Sequence, residues 1–324
     1  MEQQKILVVG GLGFIGHEVA RQLHDLGYAI AITDTLTTYK DSIPQNEHQF
    51  LIDERRRQLQ SCAIKITDLP RASPTDSVDC IIHSAGYPRQ KLVGTYPVDA
   101  AKNMIDDLIY WLEYAVAHQV RRFVYLSSSM VYGDFHCPVV ETATCRPQGL
   151  YAILKYTGEQ MVKDYARRTG LEYVIVRPSA VYGPRDVSDR VIAKFFTQAI
   201  TGKVLAVNGA NESLDLTYYT DTAQGIVLAA TSNAASNQTF NITRSHAIKL
   251  LDAAQLVVDI VGSGEIQVRS KSQDFPSRNA LDISFARNLL GYNPTIDIEQ
   301  GFQKYYEWLG QTPIWAAQLS KIPQ

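Results

Sequence analysis

The chain has 324 residues, 45% hydrophobic and 20% charged, enough for one large or two modest domains. Its net charge is 31 − 33 = −2 with no basic block, which excludes a nucleic-acid-binding surface; the run Arg55-Arg56-Arg57 reads as a solvated helix face. No apolar run approaches the ~20 residues of a membrane span, Met1–Lys5 carry no signal-peptide pattern, and Cys62, Cys80, Cys137 and Cys145 have neither metal-ligand spacing nor disulfide density, so a cytoplasmic protein of enzyme size without a metal is expected.

Lys5–Val9 is a short apolar run that reads as a buried parallel strand. It enters Gly10-Gly11-Leu12-Gly13-Phe14-Ile15-Gly16, and a helical pattern continues to about Leu26. Glycines at 10, 13 and 16 permit a tight turn, a close backbone approach to a pyrophosphate, and close helix–strand packing. The helix N-terminus then offers free amides and partial positive charge to the phosphates, so Gly10, Gly13, Phe14, Ile15 and Gly16 are expected to bind a dinucleotide. Tyr28–Thr33 is the second strand, and Asp34 stands at its end, where a dinucleotide site places a carboxylate against ribose hydroxyls. That charge repels the extra phosphate of NADP and no arginine follows immediately, so NAD is expected.

Thr35–Ile52 is polar and reads as an irregular surface excursion. Ala63–Ile66 and Asp79–His83 are the third and fourth strands. The small residues Ser84-Ala85-Gly86 then let the cofactor pass close by, with Ala85 in contact, while His83 reads as structural. Pro97–His118 is a long amphipathic stretch and Arg121–Leu126 the fifth strand. Strand and helix alternate throughout, which predicts an α/β, Rossmann-type doubly wound parallel sheet with its ligands beyond the carboxyl ends of the strands.

Ser127-Ser128-Ser129 follows the fifth strand, and Gly149–Thr169 is a helix on which Tyr151 and Lys155, four apart, share a face. A fixed ammonium favours the phenolate of a neighbouring tyrosine, making it a usable general base near neutral pH. A serine hydroxyl could hold the substrate oxygen that Tyr151 deprotonates, and the chemistry this implies is hydride loss from the carbon bearing that oxygen. Leu171–Val176 is the sixth strand. Beyond Arg177-Pro178 the rhythm changes: a turn at Val181–Arg185, a helix Val191–Gly202, a polar loop Asn208–Leu214, a strand Asp215–Tyr219, and a helix to Thr231 capped by Thr220. Gln238–Ile242, Leu250–Val261 and Glu265–Arg269 give strand, helix and strand, with helical patterns at Ser284–Leu290 and Ile298–Leu309. The expected division is a dinucleotide-binding domain over 1–176, rejoined by 215–242, and a smaller α/β substrate-binding lobe over 177–214 and 243–324.

Taken together, the chain resembles the extended short-chain dehydrogenase/reductases, specifically the NAD-dependent epimerase/dehydratase group, whose best-known members act on nucleotide sugars. The resemblance rests on the glycine turn, Asp34, Asp68-Leu69, His83–Gly86, Asn103, Ser127–Gly133, the Tyr151/Lys155 pair, Arg177-Pro178 through Pro184-Arg185, Tyr219-Thr220-Asp221 and Ala286–Tyr292. It implies Tyr151 as the base, Lys155 as the ribose-binding cation, and Ser128, four residues before Tyr132, as the active-site hydroxyl. It places Asp68 and Leu69 beside the adenine and implies a homodimer formed through two long helices. Ser129 is a further substrate contact, although Ser127 and Ser129 also fit strand-end hydrogen bonding. Where the group's dehydratases carry Asp-Glu this chain has Ser129-Met130, so dehydration is not expected. Ala180 and Leu214 replace an Asn and an Arg common in nucleotide-sugar members, which leaves Arg185, Arg190 and Arg278 to hold a diphosphate, with Arg185 and Arg278 as the substrate-binding candidates. The expected activity is NAD-dependent epimerisation or oxidation at a secondary hydroxyl, at carbon 4 of a nucleotide-activated sugar. The alternatives are an NAD-dependent dehydrogenase of a sugar acid and an inactive NAD-binding regulatory protein.

Overall fold

The computed structural model describes residues 4–36, 43–62, 64–67, 77–87, 90–271, 275–313 and 315. The N-terminal part runs β1 (Lys5–Val9), α1 (Gly16–Asp25), β2 (Ala29–Thr33), α2 (Gln45–Ser61), β3 (Lys65–Thr67) and β4 (Cys80–His83). Then come α3 (Gln90–Thr95), α4 (Pro97–Ala101), α5 (Asp107–Ala117), β5 (Arg122–Leu126), α6 (Leu150–Thr169) and β6 (Glu172–Pro178). The chain continues through β7 (Ala180–Tyr182), α7 (Val191–Ile200), β8 (Leu205–Asn208), β9 (Ser213–Tyr218), α8 (Tyr219–Thr231) and β10 (Gln238–Ile242). It ends with β11 (Ala247–Lys249), α9 (Leu250–Val261), β12 (Ile266–Arg269), α10 (Ser284–Leu290) and α11 (Ile298–Gln311).

Seven parallel strands form the main sheet in the order β10-β6-β5-β4-β1-β2-β3. Successive β1 side chains point to opposite faces. Ile6 and Val8 pack with Val19, Leu23 and Ile226 under α1 and α8, whereas Leu7 and Val9 pack with Trp111, Leu112 and Val162 under α5 and α6. Register decides where function can gather. Val9 lies level with both Thr33 and His83, and His83 with Tyr125, so Gly10, Asp34, Ser84 and Leu126 emerge together at the carboxyl edge. Strand order reverses about β1, which makes the crevice between the β1 and β4 ends the switch point where such sheets bind ligands.

A second, smaller lobe has the sheet β11-β9-β7 and the pair β12-β8, with α7, α9 and α11 packed on an apolar core around Phe196, Leu216, Val257 and Phe302. Asp215 joins the lobe's parts: its buried carboxylate accepts from Leu281 N at 2.9 Å and Thr243 Oγ at 2.7 Å, and burial pushes its pKa up to about 6.

Five expectations change. Residues 45–52, read as irregular, belong to α2. Arg55, read as solvated, is 2% exposed, because it occupies the buried Leu51–Arg55–Leu59 face of that helix. Residues 97–118 are not one regular helix, since a π turn at Lys102–Asp106 separates α4 from α5. Thr220 is not a cap: strand β9 runs straight into α8 with Tyr218 at the boundary. The turn expected at Val181 begins later, because Ala180–Tyr182 pairs in parallel with β9.

Candidate active site

At the switch point lies a cleft lined by the β1–α1 turn, Asp34, Ser84–Gly86, Asn103, Asp107 and residues of α2. Gly10 has φ +78°, and a Cβ there would stand 2.6 Å from Ala85 N, so only glycine lets the two strand-end turns close on each other. A Cβ on Gly16 would strike the Gly10 carbonyl, which keeps the start of α1 tight against the turn. Ser84 Oγ donates to Val9 O at 2.7 Å and fixes the opposite wall. The amino end of α1 with its partial positive charge thus meets the cleft, as a phosphate requires.

The Asp34 carboxylate accepts from Leu12 N and Leu36 N, both at 2.9 Å, and lines the cleft at the end of β2. Phe14, Ile15 and Ala85 line it as expected. Asn103 reaches it from the π turn, a device that re-aims side chains without ending a helix. Close backbone walls, a helix amino terminus and a carboxylate at the second strand fit a dinucleotide. Asp68 and Leu69 lie outside the described residues.

Cleft residues on α2 escaped the sequence reading, whereas Arg190, one of the arginines left to hold a diphosphate, is among those that line the cleft. His48, Ile52 and Arg55 come from α2, and Arg190 from the loop after β7. The Arg55 guanidinium donates to Leu12 O at 3.0 Å and to Arg185 O at 2.6 Å, spanning the glycine turn and the 183–190 loop. The signal for it was the spacing Leu51–Arg55–Leu59, with arginine in the middle of an apolar stripe. His17, beneath the turn, stacks 6.2 Å from Tyr219; burial, then Arg55, holds its pKa well below the usual value, so it is neutral.

The three serines after β5 have different partners. Ser127 Oγ donates to Glu159 Oε1 at 2.5 Å and Ser129 Oγ to Ser179 Oγ at 3.2 Å. Ser128, extended and 8% exposed, accepts from Met130 N at 3.2 Å, so its hydroxyl proton is left for another acceptor. Lys155 is 6% exposed, and its Nζ donates to Leu126 O at 2.6 Å above the Tyr125 ring. A Cβ on Gly86, a cleft residue, would stand 3.4 Å from that Nζ, so the ammonium borders the cleft. Burial lowers its pKa from 10.5 to about 8, with the Glu159 charge opposing. Tyr151 lies one turn earlier on α6, packed with Val93, Met104 and Leu154.

Arg278 is partly buried and faces Tyr151: burial lowers its guanidinium to about 10, while Tyr151 and Glu212 act the other way. Its Nε has no hydrogen-bond partner among the described residues. Arg185 is turned elsewhere, 3.9 Å from Glu54 and beside Tyr219. Leu214 is in the apolar core of the smaller lobe, and Ala180 opens β7. His83 is buried, 3.3 Å from Asp107 and stacked on Phe123. His24, Asp25 and Cys62 approach within 4.8 Å of one another at the far ends of α1 and α2, but Asp25 is already paired with Arg21.

Comparison with known proteins agrees with this geometry. Residues 6–243 match the model of the NAD dependent epimerase/dehydratase family. The chain is 30% identical over 314 residues to "Uncharacterized UDP-glucose epimerase YtcB" of Bacillus subtilis (strain 168), covering 94% of this chain and 98% of that protein. It is 27% identical over 317 residues to UDP-glucuronic acid decarboxylase 1 of Xenopus tropicalis, covering 94% of this chain and 71% of that protein. Among solved structures it matches a UDP-glucuronic acid 4-epimerase from Bacillus cereus, in complex with UDP-glucuronic acid and NAD, with TM-score 0.87 and 25% identity over 95% of this chain and 99% of that one.

Proposed function

The chain belongs to the NAD-dependent epimerase/dehydratase family, and on that premise we propose that it epimerises a nucleotide-activated sugar at carbon 4. Bound NAD supplies the hydride acceptor and donor. The observation that carries the proposal is the Ser128 hydroxyl, the one serine of three with its proton to give, at the same strand edge as Lys155 and its neighbour Tyr151. In this reading Ser128 donates to the substrate oxygen and Tyr151 takes the hydroxyl proton on oxidation. Lys155 holds positive charge beside the cleft, and Tyr151 returns the proton after the keto sugar has turned over. Gly10, Gly13, Phe14, Ile15, Gly16, Asp34 and Ala85 hold the cofactor. Arg278 offers its cation to a phosphate or a sugar carboxylate. Ser129-Met130 carries no acid, which favours hydride transfer alone over dehydration.

UDP-glucose and UDP-glucuronic acid are the first substrates to test, because the similar proteins named above carry them. Nuclear magnetic resonance should detect the 4-epimer with no net reduced nicotinamide, and Tyr151→Phe should slow turnover about a thousandfold. Unchanged turnover in Tyr151→Phe would remove the base. The burial of Leu214 supports a second reading, oxidation of a free sugar acid, in which net reduced nicotinamide accumulates. A cytoplasmic homodimer belongs to the same proposal. Exposed Val98, Ile109 and Ile153 on the two long helical segments support the dimer, and sedimentation at micromolar chain concentration tests it. Free thiols at all four cysteines support a reducing compartment.

A further inference from the structure

We propose that Glu159 is a positioning residue for the reaction: one turn beyond Lys155 on α6, it is the buried anion that pins the Ser127–Ser128 strand end to that helix and sets the charge around the Lys155 ammonium. This rests on Tyr151 and Lys155 acting as the acid–base pair. Glu159 is 0% exposed. Its carboxylate accepts from Ser127 Oγ at 2.5 Å, from Arg177 Nε at 2.9 Å and from Arg177 Nη2 at 2.6 Å. The residue before Ser128 is therefore pinned to the helix that carries Tyr151. Arg177 extends the same unit, donating through Nη1 to the Tyr132 hydroxyl at 2.9 Å and Glu141 O at 3.1 Å, so both ends of the Ser129–Tyr132 turn are held.

Charge counting gives this arrangement a consequence beyond anchoring. Two buried cations lie around one buried carboxylate: Arg177 hydrogen-bonds it directly, and Lys155, one turn earlier on α6 and bonded to Leu126 O, feels its charge through space. The groups facing them are Tyr125 from β5, Tyr151 from α6 itself, Tyr132 from the serine turn, and Glu141 and Cys145 from the loop before α6. Glu159 is the charge that acts on Lys155 and also the first anion acting on Arg177, with Glu141 lying close by. Lys155 and Arg177 therefore compete for Glu159. A buried ion pair adds little stability over well-packed apolar side chains, whereas an anion beside a desolvated ammonium keeps it protonated near its working pH.

The competition predicts opposite effects from two substitutions. Arg177→Met leaves Glu159 to Lys155 alone and should move the alkaline limb of the kcat/KM profile up in pH. Glu159→Gln with Arg177→Met removes both charges, so no buried guanidinium is stranded, and should move that limb down by about one unit or more. The profile is measured on the NAD-loaded enzyme with UDP-glucuronic acid and UDP-glucose. A second readout needs no substrate: the rise in Tm on adding NAD, compared above and below the Lys155 pKa of about 8, should shrink with pH earlier in the double variant and later in Arg177→Met. Shifts of the same sign in both variants, or an unmoved profile and NAD response, overturn the proposal. Should the double variant not fold, the sign of the Arg177→Met shift decides alone. Turnover surviving Tyr151→Phe would instead sink the underlying acid–base reading, so the two failures are separable.

Discussion

An ammonium buried at the edge of a cleft works against the fold that holds it. The Lys155 amine falls from 10.5 to about 8 on folding, chiefly by burial. The difference corresponds to about 3 kcal/mol. The sign follows from the protons bound. Because the folded value is below the unfolded one, the unfolded chain holds more protons between about 8 and 10.5. Stability therefore rises with pH across that window, and the full penalty applies below about 8. Lys155→Met, which keeps the length of the side chain and removes its charge, should raise Tm at neutral pH, with the gain fading as pH climbs towards 10. Turnover should fall at the same time, the usual exchange of stability for function at a working site. Thermal denaturation of both proteins across that pH range checks it; a lower Tm for the variant at neutral pH, widening with pH, contradicts it.

At the scale of elements, α2 is the piece that joins the cofactor cleft to the smaller lobe. Arg55 bonds the glycine turn and the Arg185 carbonyl, and Glu47 accepts from Ser188 N at 2.8 Å and Ser188 Oγ at 2.7 Å. Arg55→Met removes two charge-assisted bonds and strands two carbonyls, which should cost about 3 kcal/mol. It should also raise amide exchange over 183–190 and weaken NAD binding. Arg57, two residues on and solvent-facing, should change stability by less than about 0.5 kcal/mol when made Met. Equal effects at 55 and 57 would remove α2 from this role. The contrast also marks what a sequence can disclose. The strands around Val8, Ile82 and Val124 and the glycine turn were legible because parallel, doubly covered strands are uninterrupted apolar runs and the turn needs glycine. Tyr151 and Lys155 were legible because four-residue spacing fixes a helix face. Helix α2 was not, since its buried face includes Glu47 and Arg55, whose polarity masks the apolar period. Nor was the difference between Ser127, Ser128 and Ser129, which depends on Glu159 and Ser179, distant in sequence.

Across the whole molecule, the main sheet and the smaller lobe are sewn together at several points far apart in the chain. On β9 the Asp215 carboxylate accepts from Thr243 Oγ, just beyond β10 of the main sheet, and on α8 the Asp221 carboxylate accepts from Thr295 N and Ile296 N ahead of α11. The main sheet is closed on itself in the same way: Tyr132 donates to Asn241 Oδ1 of β10 at 2.8 Å, and Arg122, buried at the start of β5, donates to Ala230 O in the last turn of α8 and to Ser232 O just beyond it. With the cleft bordered by α1, α2, β4 and the loop after β7, a dinucleotide would touch elements belonging to both parts. The chain should therefore unfold in a single calorimetric transition, and NAD should move that transition as a unit. Free NAD at a hundred times its Kd adds about 2.7 kcal/mol, and for a chain of this size that raises Tm by about 5 °C. A scan with two transitions, of which NAD moves only the one from the glycine turn and main sheet, would mean that the bonds at Asp215 and Asp221 do not carry stability between the two parts. A single peak displaced whole, and displaced less in Arg55→Met at the same NAD concentration, would identify α2 as the element through which the cofactor reaches the smaller lobe.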